Sequence, residues 1–382
     1  LKGNDKGTRQ GMRQGERQEK FQANEFVDAD LALLDRPLLD VRAPIEFAAG
    51  ALPGAINLPL MNDDERREVG IRYKHAGQAS AVELGNRLVS GESRDARLSA
   101  WERAIEAAPD SVIYCFRGGM RSKISQQWLA ERGYPLPRIR GGWKAMRSRL
   151  IETLESHSQA PLLLVAGLTG CAKTALINSL DSGVDLEGHA RHKGSAFGQH
   201  PLAGPSQIDF EHGLTLDLVR LPHARVVEDE SQRIGRLAVP ATFWQSMKMA
   251  PCIRVEMPLE WRLEQIRKDY IEDLSSTYHR DYGPHLGEVL FRKQLSGALK
   301  RLGKRLGGER LARLIEAQQR AFSAQRHGNV QAHDDWLAPL LREYYDPMYR
   351  HQIDHQPRPT LHVGDWDSCL AVARQWEREQ TG

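Results

Sequence analysis

Val112-Ile113-Tyr114-Cys115-Phe116-Arg117-Gly118-Gly119-Met120-Arg121-Ser122 decides how the first half of the chain is read. Ser111 to Tyr114 is a short apolar run of the kind that forms a buried strand, and it leads directly into Cys115. Lys123 to Glu131 has helical spacing, with Gly133 as its stop. A strand therefore delivers a cysteine to a glycine-containing loop, and a helix begins just after. Backbone N–H groups of such a loop form an anion nest, and the helix N-terminus adds partial positive charge. Arg117 and Arg121 add full charges. All three favour thiolate over thiol and hold an oxyanion beside the sulfur. Transfer of sulfur, selenium or phosphoryl from an anionic donor requires this arrangement. A buried structural cysteine is the plainer alternative, and the glycine pair with two arginines argues against it.

Working outward, Pro37 to Arg42 and Ala55 to Leu58 read as short strands, and Asp64 to Val89 is mostly helical in pattern. Strands alternating with helices imply a parallel α/β sheet. The polar stretch Glu155-Ser156-His157-Ser158-Gln159 then separates a second unit. Leu162 to Ala166 is a continuous apolar run, as in a strand buried on both faces. Gly167-Leu168-Thr169-Gly170-Cys171-Ala172-Lys173-Thr174 follows and matches G-x4-G-K-[ST], except that Ala172 replaces the second glycine. Backbone N–H groups across Gly167, Thr169, Gly170, Cys171 and Ala172 could cradle a diphosphate, with Lys173 neutralising it and Thr174 holding Mg²⁺. Alanine where φ > 0 is wanted costs stability or distorts the loop. Arg225 to Ser231 reads as a strand ending in Glu228, Asp229 and Glu230, and such strand ends hold Mg²⁺ in phosphate-loop proteins. Thr174 and Asp229 are the candidate Mg²⁺ ligands. Asp185 to Gly198 is polar and glycine-rich, more a site loop than a core element. Glu187, His192, Lys193 and Ser195 join the three acids as second-site candidates. From about Pro258 the pattern is mostly helical.

The chain has 382 residues, 53 basic and 50 acidic, for a net charge of +3, so global charge points to no particular partner. Any nucleic-acid surface must be a local patch. Residues 291–310 supply one: Arg292, Lys293, Lys300, Arg301, Lys304, Arg305 and Arg310 stand against Glu309 alone. Lys300, Arg301, Lys304 and Arg305 are its central candidates, an ordinary solvated helix face being the alternative. Four scattered cysteines without a CxxC pair indicate neither a zinc site nor a disulfide framework. Reduced thiols in a cytoplasmic protein are expected. Neither a signal-peptide core nor a membrane-spanning run is expected. Residues 1–25 are polar and read as a disordered tail, with a phosphate-binding arm as the sharper alternative.

The Cys115 segment resembles the active loop of the rhodanese family. Asp40-Val41-Arg42-Ala43-Pro44-Ile45-Glu46-Phe47 and Gly50 to Pro59 resemble its other signature, with Ala51 where His is common. Cys115 and Arg121 make Cys-x5-Arg, a loop one residue longer than in small rhodaneses, which suggests a larger bound group than a lone sulfur. It is also the spacing of related cell-cycle phosphatases, so a phosphatase-like module stays open. With Asp185-Leu186-Glu187, His192 to Ser195, Glu228 to Ser231 and Tyr344 to Tyr349, residues 26–370 resemble the bacterial tRNA 2-selenouridine synthase family.

The resemblance implies a rhodanese domain over 26–155, a parallel sheet with helices on both faces. A P-loop NTPase-like α/β domain with a helical C-terminal part follows over 156–382. It implies S-geranylation of wobble 2-thiouridine from geranyl diphosphate, then selenium transfer from selenophosphate through a Cys115 perselenide, with Arg117 and Arg121 on the phosphate. tRNA with wobble 2-thiouridine and a selenophosphate-supplying enzyme are the implied partners, and no tightly bound cofactor is implied. A P-loop kinase or ATPase regulated by the first module is the competing reading, and a non-catalytic adaptor a third.

Overall fold

A computed structural model describes residues 25–381 other than 200, 203, 222, 356 and 357. All but the last residue of the expected polar tail lies outside these. The chain falls into two compact units: one comprises residues up to Phe47 with Gly54–Arg147, the other Ala48–Pro53 with Ser148 onward. The border lies inside the helix Gly142–His157, ahead of the polar stretch that marked it in the sequence.

In the first unit five short strands, β1 (Phe26–Val27), β2 (Leu38–Asp40), β3 (Ile56–Asn57), β4 (Val112–Tyr114) and β5 (Arg138–Ile139), form one sheet. Its order is β1-β5-β4-β2-β3, and every pairing is parallel. The central β2 and β4 are wholly buried, as in a parallel sheet covered on both faces, although β2 ends on Asp40. The helix Asp63–Leu88 opens with a capping box between Asn62 and Glu65. It breaks at Gly77, whose φ of +76° few residues but glycine adopt. The helix Gly91–Ala107, absent from the sequence reading, buries Leu98, Trp101 and Ile105 against the sheet.

In the second unit β6 (Leu162–Gly167), β7 (Gly183–Val184), β8 (His192–Lys193), β9 (Gly198–Gln199), β10 (Arg225–Glu228), β11 (Arg233–Ile234), β12 (Leu237–Ala238), β13 (Cys252–Val255) and β14 (Thr360–Gly364) follow in order. The main sheet runs β14-β13-β6-β10-β7, again all parallel. β8 with β9 and β11 with β12 are small antiparallel pairs. From Leu259 to His355 the chain is helical and packs its own core around Phe291, Leu295, Phe322 and Trp336. It then returns to the sheet as the edge strand β14, whose mixed exposure left no periodic signal. All four cysteines are buried and free. Among the described residues no helix is long and apolar enough to cross a membrane.

Candidate functional site

β4 ends at Tyr114, so Cys115 is the first residue past the sheet, and its side chain is buried. Its thiol donates to the Ser122 hydroxyl at 3.3 Å, and Ser122 donates to the Gly119 carbonyl at 3.2 Å. The loop is clamped from behind by the start of the helix Gly142–His157. Trp143 and Lys144 N–H groups donate to the Cys115 and Phe116 carbonyls at 2.9 and 3.0 Å. Gly118 has φ +64°, and a Cβ there would stand 2.7 Å from the Ile139 carbonyl oxygen. Only a residue without a side chain allows this approach.

Arg121 does not stand alone beside the sulfur. It forms a two-pronged ion pair with Glu46, at 2.5 and 3.1 Å. Burial opposes charge on both partners, but their mutual hydrogen bonds and attraction outweigh it. The Glu46 carboxyl is held below its usual range and the Arg121 guanidinium above. Arg117 is exposed and lies near the Phe116 ring. Asp40 is wholly buried, accepts from the Arg42 backbone N–H at 2.9 Å and pairs with the equally buried Arg42 guanidinium at 2.6 Å. Arg42 lies 5.0 Å from the Trp143 ring. Arg138, 3.2 Å from the Gly118 carbonyl, adds a third cation to the loop beside Arg117 and Arg121. Glu46 lies within the quoted Asp40–Phe47 stretch, but nothing in that stretch shows that its partner is Arg121.

The phosphate loop leaves β6 at Gly167 and enters the helix Lys173–Ile177. Ala172 takes the left-handed conformation, φ +51° and ψ +42°. The departure from the motif is thus absorbed as local strain, and the turn is kept. Ala172→Gly is expected to raise stability by about 1 kcal/mol, because alanine destabilises such a position by more than it gains through the unfolded chain. Thermal or urea unfolding of the two proteins checks this, and an unchanged or lower midpoint would show the turn to be unstrained.

Lys173 Nζ donates to the Gly167 carbonyl at 3.2 Å and sits 5.9 Å from the Tyr349 ring centroid. Burial alone would lower its pKa, but Tyr349, Glu230, Glu228 and Glu187 raise it above the usual value, so it stays protonated. Thr174 donates to Glu228, and to Glu187 at 3.4 Å. One carboxylate oxygen from each of Glu187, Glu228 and Glu230 lies within 4.8 Å of the others. Burial, then mutual repulsion, pushes the Glu187 and Glu228 carboxyls up, and burial does the same to Glu230. Among the described residues the second oxygen of Glu228 is buried with no hydrogen-bond partner. Hard oxygen donors grouped this way suit a Mg²⁺-like cation. The expected pair of Thr174 with Asp229 is corrected: Asp229 faces Arg358 at 3.0 Å, and Glu228 takes the place beside Thr174. β10 ends at Glu228, and Asp229 lies just past the strand.

The other candidates separate. Cys171 packs in the apolar core, where burial pushes its thiol up. Lys193 pairs with Asp269 at 2.8 Å, and Ser195 donates to the Tyr270 hydroxyl at 3.2 Å. A Cβ on Gly235 would lie 2.8 Å from the His192 ring, so that ring is packed against the β11–β12 turn, and burial lowers its pKa. From this segment it is the Gly194 N–H, not a side chain, that reaches Glu187. Arg262, missed in the sequence, is buried, donates to the Thr169 carbonyl at 2.8 Å and is clamped by Asp346 at 2.6 and 3.0 Å. Asp346 lies in the Tyr344–Tyr349 segment, but its partner is far along the chain. Arg254, Arg342 and Arg350 line a cavity of about 590 Å³ that includes Gly167 and Leu168.

In the basic stretch Lys300 and Lys304 are exposed. Arg301 donates to the Ala196 carbonyl at 3.0 Å and Arg305 to the Tyr344 hydroxyl at 2.8 Å.

The Rhodanese-like domain model matches residues 23–149, and the model described as the tRNA 2-selenouridine synthase AAA domain matches 160–380. The tRNA 2-selenouridine synthase of Chromohalobacter salexigens is 63% identical over 347 residues, covering 91% of this chain and 96% of its own. That of Azotobacter vinelandii is 45% identical, covering 90% and 95%. With both units matched and nearly the full length of these relatives covered, the chain belongs to the tRNA 2-selenouridine synthase family.

Proposed function

We propose that the protein converts wobble 2-thiouridine in tRNA to 2-selenouridine, by S-geranylation from geranyl diphosphate and then selenium transfer from selenophosphate. The Cys115 loop carries this reading: a buried thiol lies beside an arginine whose present partner, Glu46, is a carboxylate that an anionic donor can replace. Arg121, with Arg117 from the solvent side, holds the selenophosphate oxygens while the Cys115 sulfur takes selenium as a perselenide, the P–Se bond breaking with its electron pair left on departing phosphite. The selenium then attacks C2 of the uridine and geranylthiolate leaves. Two equivalents of a low-molecular-weight thiol cleave the remaining S–Se bond, releasing 2-selenouridine and Cys115 with formation of a disulfide of that thiol. Alkylating the thiocarbonyl sulfur makes it the better leaving group, which sets the order of the two reactions. In the second unit the loop amides and Lys173 hold the diphosphate, and Arg262 fixes the loop through Thr169. Glu187, Glu228, Glu230 and Thr174 would hold Mg²⁺, which when bound neutralises diphosphate charge.

The direct test is mass spectrometry of tRNA nucleosides after incubation with geranyl diphosphate and selenophosphate. S-geranyl-2-thiouridine should accumulate without selenophosphate and 2-selenouridine with it. ATP turnover that depends on tRNA, without either nucleoside product, would favour the kinase or ATPase reading.

The exposed lysines of the basic stretch are proposed to bind tRNA phosphates. Arg301 and Arg305 are exposed too, but each already donates a hydrogen bond within the chain, so reversing them would remove those bonds as well as charge. Lys300→Glu with Lys304→Glu is the cleaner variant, since both residue types favour helix. It should weaken tRNA binding and reduce the slope of log K against log salt by up to about 2. An unchanged affinity and slope in a filter-binding titration would mark this stretch as a solvated face only.

A further inference from the structure

We infer that the first unit contains a terpenyl subsite, an apolar cavity beside the Cys115 loop that takes the geranyl chain of the S-geranylated nucleoside during selenation. This rests on the two-reaction reading above and adds where the chain goes.

The cavity measures about 300 Å³, at the lower end of pockets that hold small organic ligands. Leu60, Val69, Tyr73, Val82, Ile124 and Trp128 line it. Val69 and Tyr73 precede the break at Gly77 and Val82 follows it, so the left-handed turn folds one helix onto two walls of the same space. Native cores are packed nearly without voids, and an apolar opening of this size forgoes contacts that side chains would otherwise make. Tyr73 and Met120, both lining it, are 58% and 38% exposed, so the apolar lining is open to solvent on that side.

Position ties the cavity to the chemistry. The first turn of the helix Met120–Glu131 sets Ser122 against the Cys115 sulfur. The same turn places Met120 and Arg121 on the cavity wall, and Ile124 and Trp128 continue it along the next two turns. A nucleoside whose C2 meets the selenium on Cys115 therefore has an apolar slot alongside for a ten-carbon chain. The polar members, Arg121, Gln78 and Asn86, are a small share of an otherwise apolar lining, which suits an apolar chain. The subsite acts by binding alone and makes no bond of its own.

The test uses the full chain, saturating selenophosphate and two ready-made tRNA substrates, one carrying S-geranyl-2-thiouridine and one S-methyl-2-thiouridine. The protein should prefer the geranyl substrate by about 100-fold or more in kcat/KM, as expected when several methylene groups leave water. Val82→Trp and Ile124→Trp fill the cavity from opposite walls. Each should erase that preference while leaving the rate on the S-methyl substrate unchanged, which also shows that the variant is folded. Geranylthiol should quench tryptophan fluorescence of the unaltered protein, and Trp128→Phe should remove most of the quench. Folded variants that keep the geranyl preference, or a quench that survives Trp128→Phe, would overturn the subsite and leave the two-reaction reading standing. Selenation of bare 2-thiouridine in preference to both alkylated substrates would overturn that reading and the subsite together.

Discussion

Cys115→Ser should end selenium incorporation, with 2-selenouridine falling by at least about three orders of magnitude, as when an enzyme loses its nucleophile. Serine fits the space: the buried sulfur has a hydroxyl partner in Ser122 at 3.3 Å, which an Oγ would also find. The fold should therefore survive, and the unfolding midpoint checks it. A hydroxyl cannot carry selenium as a perselenide and is a far weaker nucleophile, so the carrier is lost. Geranylation, proposed for the other unit, should stay within about twofold of the unaltered rate, because no group of that site is touched. The readout is nucleoside mass spectrometry with each donor alone and with both. A serine variant that makes 2-selenouridine at the normal rate removes Cys115 from the mechanism.

Lys173→Ala should lower geranylation by about 100- to 1,000-fold, the range seen when one preorganised charge at a developing anion is lost. Lys173 is the cation set among Glu187, Glu228, Glu230 and Tyr349, and those groups hold it protonated despite its burial. Its removal takes away the cation proposed to hold the diphosphate and leaves the surrounding carboxylates without theirs. The second loss is structural, so the unfolding midpoint should fall as well. Supplying tRNA that is already S-geranylated separates the effects. The variant should still convert it to 2-selenouridine at close to the normal rate if the first unit alone performs that step. Normal geranylation by Lys173→Ala, with selenation lost, would mean that the two sites have been assigned the wrong way round.

Both predictions rest on features visible in the amino-acid order. A strand-loop-helix signal needs only local spacing, so Val112–Ser122 and Leu162–Thr174 are legible without any tertiary information. So is the parallel α/β class, because apolar runs alternate with helical patterns. Ala172 is legible as a departure, but its consequence is not. Only the backbone shows that the left-handed turn is retained at the cost of strain and not replaced by another loop shape.

Charge partners mark where the sequence stops being informative. Glu46 is separated from Arg121 by two strands and two helices, and Arg262 from Asp346 by most of a helical bundle. Ion pairs of this kind depend on which elements pack together, and a side chain's type does not encode its distant partner. Glu228, Asp229 and Glu230 make the same point over three residues. All three read as candidates, yet Glu228, the last residue of β10, meets Thr174, while Asp229 just past the strand meets Arg358. The cavity beside Cys115 is a stronger case, since its walls come from two limbs of one helix folded at Gly77 and from a second helix far along the chain.

The sequence by itself determined the two α/β units, the cysteine loop, the phosphate loop and the basic stretch, because local spacing and backbone propensity act over a few residues. Tertiary structure alone decided which carboxylates meet, which arginines are already paired and where an apolar chain can be received. Those follow from packing between elements, where contact free energy is gained across distances in sequence that no local pattern spans.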